Sequence, residues 1–212
     1  MLTGGTHTPW DWGEGHAFRS LLGALGRGET QAVAFIVPAG LTWPLPLYEL
    51  ALLTDTHLRE QAVGGVSLQV ITVERAPLEV FGLEVSRAVA GLLEERGIAL
   101  ETGQEAHAVE DGVVRTADGS SIPADATVAL PVIQARLLPG LPTDAAGFIS
   151  VDSECRVRGS EDVFAAGDCT DQPLKQGGLA AQQADIAASS IAALAGADVT
   201  PRRSDRLSRR CS

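Results

Sequence analysis

Val33-Ala34-Phe35-Ile36-Val37, followed by Pro38-Ala39-Gly40-Leu41-Thr42-Trp43-Pro44, is the stretch that decides the fold. Five apolar residues in an unbroken run, bounded by turn formers, suit a strand buried on both faces of a parallel sheet. Leu45 to Glu60 is apolar on nearly every side, and Pro44 and Pro46 are tolerated only in a first turn, so a buried helix beginning at the loop is predicted. A second strand, Ser67 to Val73, ends at Glu74. Phe81, Val85, Ala88 and Leu92 recur at spacings of four, three and four, predicting an amphipathic helix that closes at Gly97. Strand, helix, strand, helix, strand reads as a parallel βαβαβ unit.

Working outward, the period shortens after Ala99. Ala106 to Glu110, Val113 to Thr116 and Ser121 to Pro123 alternate around turns at Asp111-Gly112 and Asp118-Gly119, which predicts a small antiparallel meander. Ala126 to Leu130 returns to the parallel sheet, and Pro131 to Pro142 leads out of it. Beyond lie a hairpin-like stretch from Phe148 to Val157 and the strand-like Val163-Phe164-Ala165-Ala166-Gly167-Asp168. An Ala-rich helix follows, with Ala180, Ala184, Ala187, Ile191 and Leu194 on one predicted face. Upstream, residues 1–28 form a lead-in segment with a short helix over Phe18 to Leu25. The fold class is α/β: a Rossmann-like parallel sheet at 29–130, a second domain at 131–196, and a disordered tail at 197–212.

Composition narrows the functional classes. With 45% hydrophobic and 20% charged residues, the 212-residue chain can bury a full core. Pro, Glu or Gly interrupts every apolar run well before membrane-spanning length, and Met1 to Gly5 lacks the pattern of a secretory signal. Five Arg against one Asp fall in residues 201–212, so the first 200 residues carry 11 basic against 26 acidic side chains. Such a body repels nucleic acid. Arg202, Arg203, Arg206, Arg209 and Arg210 read as a solubilising end. Cys155, Cys169 and Cys211 have no metal or redox spacing, which points to a reducing cytoplasm. His7, His16, His57 and His107 have no metal-ligand spacing either. Trp10, Trp12 and Trp43 are expected to form a packing patch.

Val163 to Asp168, then Lys175-Gln176-Gly177-Gly178 and the Ala-rich helix, resemble the pyridine nucleotide-disulfide oxidoreductase superfamily, especially its sulfide:quinone oxidoreductase and type II NADH dehydrogenase branches. The likeness covers roughly Gln31 to Leu194 and is most specific over Glu161 to Ala184. It implies a split fold, with a nicotinamide-binding Rossmann domain inserted into an FAD domain that resumes at a strand ending in Gly-Asp. The second domain is then the C-terminal part of that split FAD domain. The resemblance gives Asp168 a ribityl hydroxyl of FAD and gives Gly167 close approach to the cofactor. It sets Gly177 and Gly178 at a helix start facing the flavin pyrimidine edge, with Lys175 and Gln176 beside them. Elementary physics agrees, because the start of a helix attracts negative charge. Read singly, each Gly pair is also an ordinary turn signal.

A nicotinamide site is weaker. A dinucleotide loop needs glycines for the turn, the diphosphate approach and the helix packing, and here only Gly40 survives, with Pro38 lacking a donor and Trp43 adding bulk. The helix Glu expected by the resemblance matches Glu49 only after an inserted turn. Glu74 ends the second strand where an acid would accept the ribose hydroxyls of NAD, or where it would be a solvated strand end beside Arg75. Weak or absent nicotinamide binding is expected, NADH ahead of NADPH. Cys169 is expected as a small buried filler and Cys155 as a solvent-facing turn residue.

No Gly-rich strand-loop-helix precedes Gln31, so the resemblance implies half an FAD site, in a fragment, a truncated gene product or one subunit of two. Two functions stand. One is an FAD-dependent NAD(P)H-type oxidoreductase passing electrons between a small-molecule donor and acceptor, completed by a homodimer or by an N-terminal partner chain. The other is a non-catalytic Rossmann-like module for docking or oligomerisation. No catalytic acid, base or nucleophile is assigned.

Overall fold

The computed structural model describes residues 6–7 and 15–204. Trp10, Trp12, Cys211, Arg206, Arg209 and Arg210 lie outside the described residues, and with them most of the expected aromatic patch and basic tail. In chain order the elements are β1 (Thr6–His7), α1 (Gly15–Gly26), β2 (Ala32–Val37), α2 (Leu45–Glu60), β3 (Ser67–Thr72), α3 (Leu83–Arg96), β4 (Ala99–Glu101), β5 (Ala106–Glu110), β6 (Val113–Thr116), β7 (Ser121–Pro123), β8 (Ala126–Ala129) and α4 (Gly177–Leu194). They divide between two compact units, Met1–Val132 and Ile133–Ser212.

The first unit is an α/β layer structure. Its parallel sheet runs β1-β8-β2-β3-β4, with Phe35 opposite Val70 and Val128. Strand β2 is apolar throughout because both of its faces are covered. Val33, Phe35 and Val37 join Leu47, Tyr48, Ala51 and Val70 in the main core, while Ala34 and Ile36 meet Val114, Ala124 and Ala129 on the other side. Phe35 is fully buried, and truncating such a ring to Ala costs about 3–5 kcal/mol. The antiparallel meander β5-β6-β7 forms around an Asp111-Gly112 turn, both residues having the positive φ that such a tight hairpin turn demands. Helix α2 has the predicted limits, and Gly97 ends α3 at φ 72° while Ile98 N–H bonds back to Leu93 O. Strand β1, inside the lead-in segment, was not expected.

Helix α3 turns a different side inward from the predicted one. Phe81 falls in a short 3-10 turn before it, Val85, Ala88 and Leu92 are exposed, and Ser86 and Leu93 are buried with Val89 half-buried. Gly82, at φ 96°, restarts the helical phase one residue later, and both tracks carry aliphatic residues, so spacing alone could not choose.

The second unit is mostly loop. Bridges Val151↔Val157, Arg156↔Phe164 and Ile149↔Thr170 hold it, over a small core of Ile149, Val151 and Val157. The expected strand Val163 to Asp168 forms only the Phe164 bridge, since no strand pairs along it among the described residues. Helix α4 buries Gln183, Ile186, Ala187 and Ser190, leaving the predicted Ala184, Ile191 and Leu194 exposed. Among the described residues no helix is long and apolar enough to cross a membrane.

Candidate functional site

In the second unit the chain turns sharply at Gly167, whose φ of 83° disfavours a side chain. Its N–H donates to Gln183 Oε1 at 2.6 Å, and its carbonyl accepts from the Thr170 hydroxyl at 2.8 Å. Asp168 follows and is exposed. Lys175 folds back on this turn, donating from Nζ to Thr170 O and standing 3.8 Å over the Phe148 ring. Burial pushes its ammonium below the ordinary lysine range, against the pull of Asp168, Asp144 and Asp171. Gln176 then caps α4 in extended backbone, its Oε1 accepting from Leu179 N–H at 2.8 Å. Gly178 makes room for this cap, because a Cβ there would lie 3.0 Å from Gln176 Oε1. The exposed Gly177 and Gly178 lead the helix with N–H groups that no side chain among the described residues caps. Such a helix start is an anion-attracting surface.

Gly167, Asp168, Lys175, Gln176, Gly177 and Gly178 thus all belong to the second unit, and the Gly167 turn is tied to the helix that Gln176 caps. Gln183, Thr170 and Phe148 were missed. A signal for Gln183 existed: it is a polar residue in the middle of an Ala-rich helix, on the side that packs inward.

Gly40 and Glu74 belong to the first unit, beyond the C-terminal ends of the adjacent strands β2 and β3. Gly40 has φ 80° in a turn closed by Leu41 N–H to Pro38 O at 3.2 Å. Helix α2 then starts at Pro44 without a side-chain cap, and Pro46 lies in its first turn. Two positions that could present N–H groups to a diphosphate therefore have none. The Trp43 ring meets Phe81 edge-on, centroids 5.2 Å apart, so the loops after β2 and β3 touch. Glu49 is exposed on α2.

Glu74 is half-buried and engaged, which corrects the picture of a solvated strand end. Its Oε2 accepts from Tyr48 Oη at 2.7 Å and from Thr72 Oγ1 at 3.1 Å. Burial raises the Glu74 carboxyl above its usual range despite these bonds, and burial together with Glu74 raises the Tyr48 phenol.

Both cysteine expectations are reversed. Cys155 is fully buried at φ 60° against Ile186, Ala187 and Phe164, in a turn where Asp152 Oδ1 accepts the Glu154 and Arg156 N–H groups. The left-handed backbone at Cys155 accompanies its burial beneath α4. Burial and Asp152 push its thiol up to about 11. Cys169 is exposed, its thiol donating to Ala166 O at 3.3 Å.

The pyridine nucleotide-disulphide oxidoreductase family model matches residues 56–188, more than half of the chain. No curated protein matches it. The sulfide:quinone oxidoreductase of the hyperthermophilic bacterium Aquifex aeolicus is similar with TM-score 0.77 at 19% identity, over 93% of this chain and 54% of that one. An NAD-dependent persulfide reductase from A. fulgidus gives 0.63 at 21%, over 93% and 36%. A water-forming NADH oxidase from Lactobacillus brevis, bound to NADH, gives 0.63 at 16%, over 85% and 40%. At these identities the likeness is one of fold, and the chain spans between about a third and a half of those proteins' lengths.

Proposed function

The chain belongs to the pyridine nucleotide-disulphide oxidoreductase family, and we propose that it contributes the C-terminal part of an FAD site to an oxidoreductase, with residues 29–130 a nicotinamide-type Rossmann domain and 131–196 the flavin portion. The observation that carries this is the exposed pair Gly177 and Gly178 at the start of α4, together with the Gly167-Asp168 turn tied to the same helix.

The residues fit the group. A positive-φ glycine lets a cofactor approach the backbone, an exposed carboxylate accepts from a polyol chain, and a helix start stabilises an electron-rich ring edge. When bound, FAD supplies the redox chemistry. Asp168 then orients the ribityl chain, and Gly177 and Gly178 present their N–H groups to the flavin. Lys175 holds positive charge near the site while remaining anchored on Phe148 and Thr170. A small molecule donates electrons and another accepts them, in the cytoplasm.

Visible absorbance tests the reading. The purified chain is incubated with FAD, gel-filtered and scanned. Retained bands near ~450 nm are expected; a colourless protein, both alone and at concentrations that drive self-association, overturns a flavin site in this chain. The docking alternative gains from the exposed Val80, Phe81, Leu83 and Val85, and sedimentation of a colourless chain as a compact monomer would sink it.

A further inference from the structure

The residues of the first unit do not fit NADH, and the misfit has an identifiable centre. For Glu74 to receive two ribose hydroxyls, its carboxylate must have acceptor capacity pointing outward. Of its two oxygens, Oε2 already holds two donors, Tyr48 Oη at 2.7 Å and Thr72 Oγ1 at 3.1 Å, so a ribose that needs both oxygens must compete for this one. Thr72 is fixed from the other side as well, since its hydroxyl accepts from Glu74 N–H at 3.1 Å.

Tyr48 is not a passing partner. It is 1% exposed and packs in the main core, in the first turn of α2, where side chains lean toward the helix start and thus toward the loops beyond the strands. Pro44 and Pro46 fix where that turn begins, and the Trp43–Phe81 contact joins the two loops beside it.

We infer that Tyr48 is a specificity-determining residue of the first unit, standing in for a nucleotide ribose on Glu74 and thereby keeping NADH out. The inference rests on reading that unit as a nicotinamide-type domain. A ribose must displace a buried phenol from a carboxylate before it binds, and hydrogen bonds to charged groups of this kind correspond to about ten- to a hundredfold in affinity.

The test is NADH binding to the 212-residue chain, followed by saturation-transfer NMR and by titration of NADH fluorescence. Tyr48→Phe is expected to bind NADH about ten- to a hundredfold more tightly than the wild type. Adding Glu74→Gln to Tyr48→Phe is expected to remove that gain, and Glu74→Gln alone to leave NADH binding where it was. A folded Tyr48→Phe chain with wild-type NADH affinity overturns the inference. So does Glu74→Gln alone if it weakens NADH binding, a measurement that decides the matter even if Tyr48→Phe does not fold. Flavin retention by the wild type is read separately: a chain that loses FAD but gains NADH with Tyr48→Phe keeps this inference and loses the flavin reading.

Discussion

The backbone N–H of Gly167 and the side chain of Gln183 are joined by a 2.6 Å hydrogen bond, which fixes the turn carrying Asp168 to the middle of α4. Gln183 is buried, so its Oε1 has little water to turn to if the turn moves away. Replacing it with Leu leaves the Gly167 N–H without this partner, at a cost of about 1–3 kcal/mol. Gln183→Leu is expected to lower the unfolding free energy by that amount and to reduce FAD retention; an unchanged unfolding free energy would show that the bond contributes nothing.

Asp168 should behave differently. It is exposed, so Asp168→Asn is expected to leave stability within about 0.5 kcal/mol while weakening FAD about tenfold, the worth of one hydrogen bond to a charged acceptor. Equilibrium titration with FAD, alongside thermal unfolding, separates the two effects. Equal FAD affinity would remove Asp168 from the site.

Glu74 links stability to pH. Its carboxyl is raised above 4.5 chiefly by burial, so the native state holds the proton more tightly than the unfolded chain does. That contribution is fully present below the unfolded value and is lost as pH rises through the raised native one. The stability of wild type relative to Glu74→Gln, measured by urea unfolding, is therefore expected to fall between pH 4 and the raised native value. A relative stability that rises with pH would contradict the assignment.

The two described cysteines should part under alkylation. Native chain treated with iodoacetamide at pH 8 is expected to be modified at Cys169, which is exposed, and protected at Cys155, which is buried with its thiol held up at about 11. Peptide mass mapping gives the answer, and rapid labelling of Cys155 would refute the buried turn.

Ser86 Oγ is buried on α3 without a hydrogen-bond partner among the described residues. Such a hydroxyl is costly to keep from water, so Ser86→Ala is expected to be neutral or to stabilise by up to about 1 kcal/mol. A clear loss in the unfolding midpoint would reveal a partner for that hydroxyl.

How much was legible in the sequence follows from where each instruction is stored. Strand β2 and the limits of α2 could be read because a doubly buried strand needs an unbroken apolar run, and Pro44 and Pro46 permit only one helix start. The inward sides of α3 and α4 could not. In α3 two aliphatic tracks compete, and in α4 Gln183 is buried because Gly167, sixteen residues away, satisfies it. Cys155 was misjudged because its burial comes with a left-handed backbone that a non-glycine residue rarely adopts. The Gly167 and Gly178 positions declared their turn and helix start, but the engagement of Glu74 depended on Tyr48, twenty-six residues earlier in the chain.

Strand β8 pairs with β2 from Val33–Ala126 to Ile36–Ala129, and just before it Asp125 Oδ2 accepts the N–H groups of both Gln31 and Ala32, 94 and 93 residues away. One edge of the central strand therefore stays open until the meander has been synthesised and folded. During translation, a nascent chain that has emerged only as far as α3 presents an apolar strand paired on one side alone, and such an open edge is the kind of template that seeds aggregation. Folding of the first unit is thus timed by the arrival of residues 125–129, and slow synthesis upstream of that point lengthens the time for which that edge of β2 stays open.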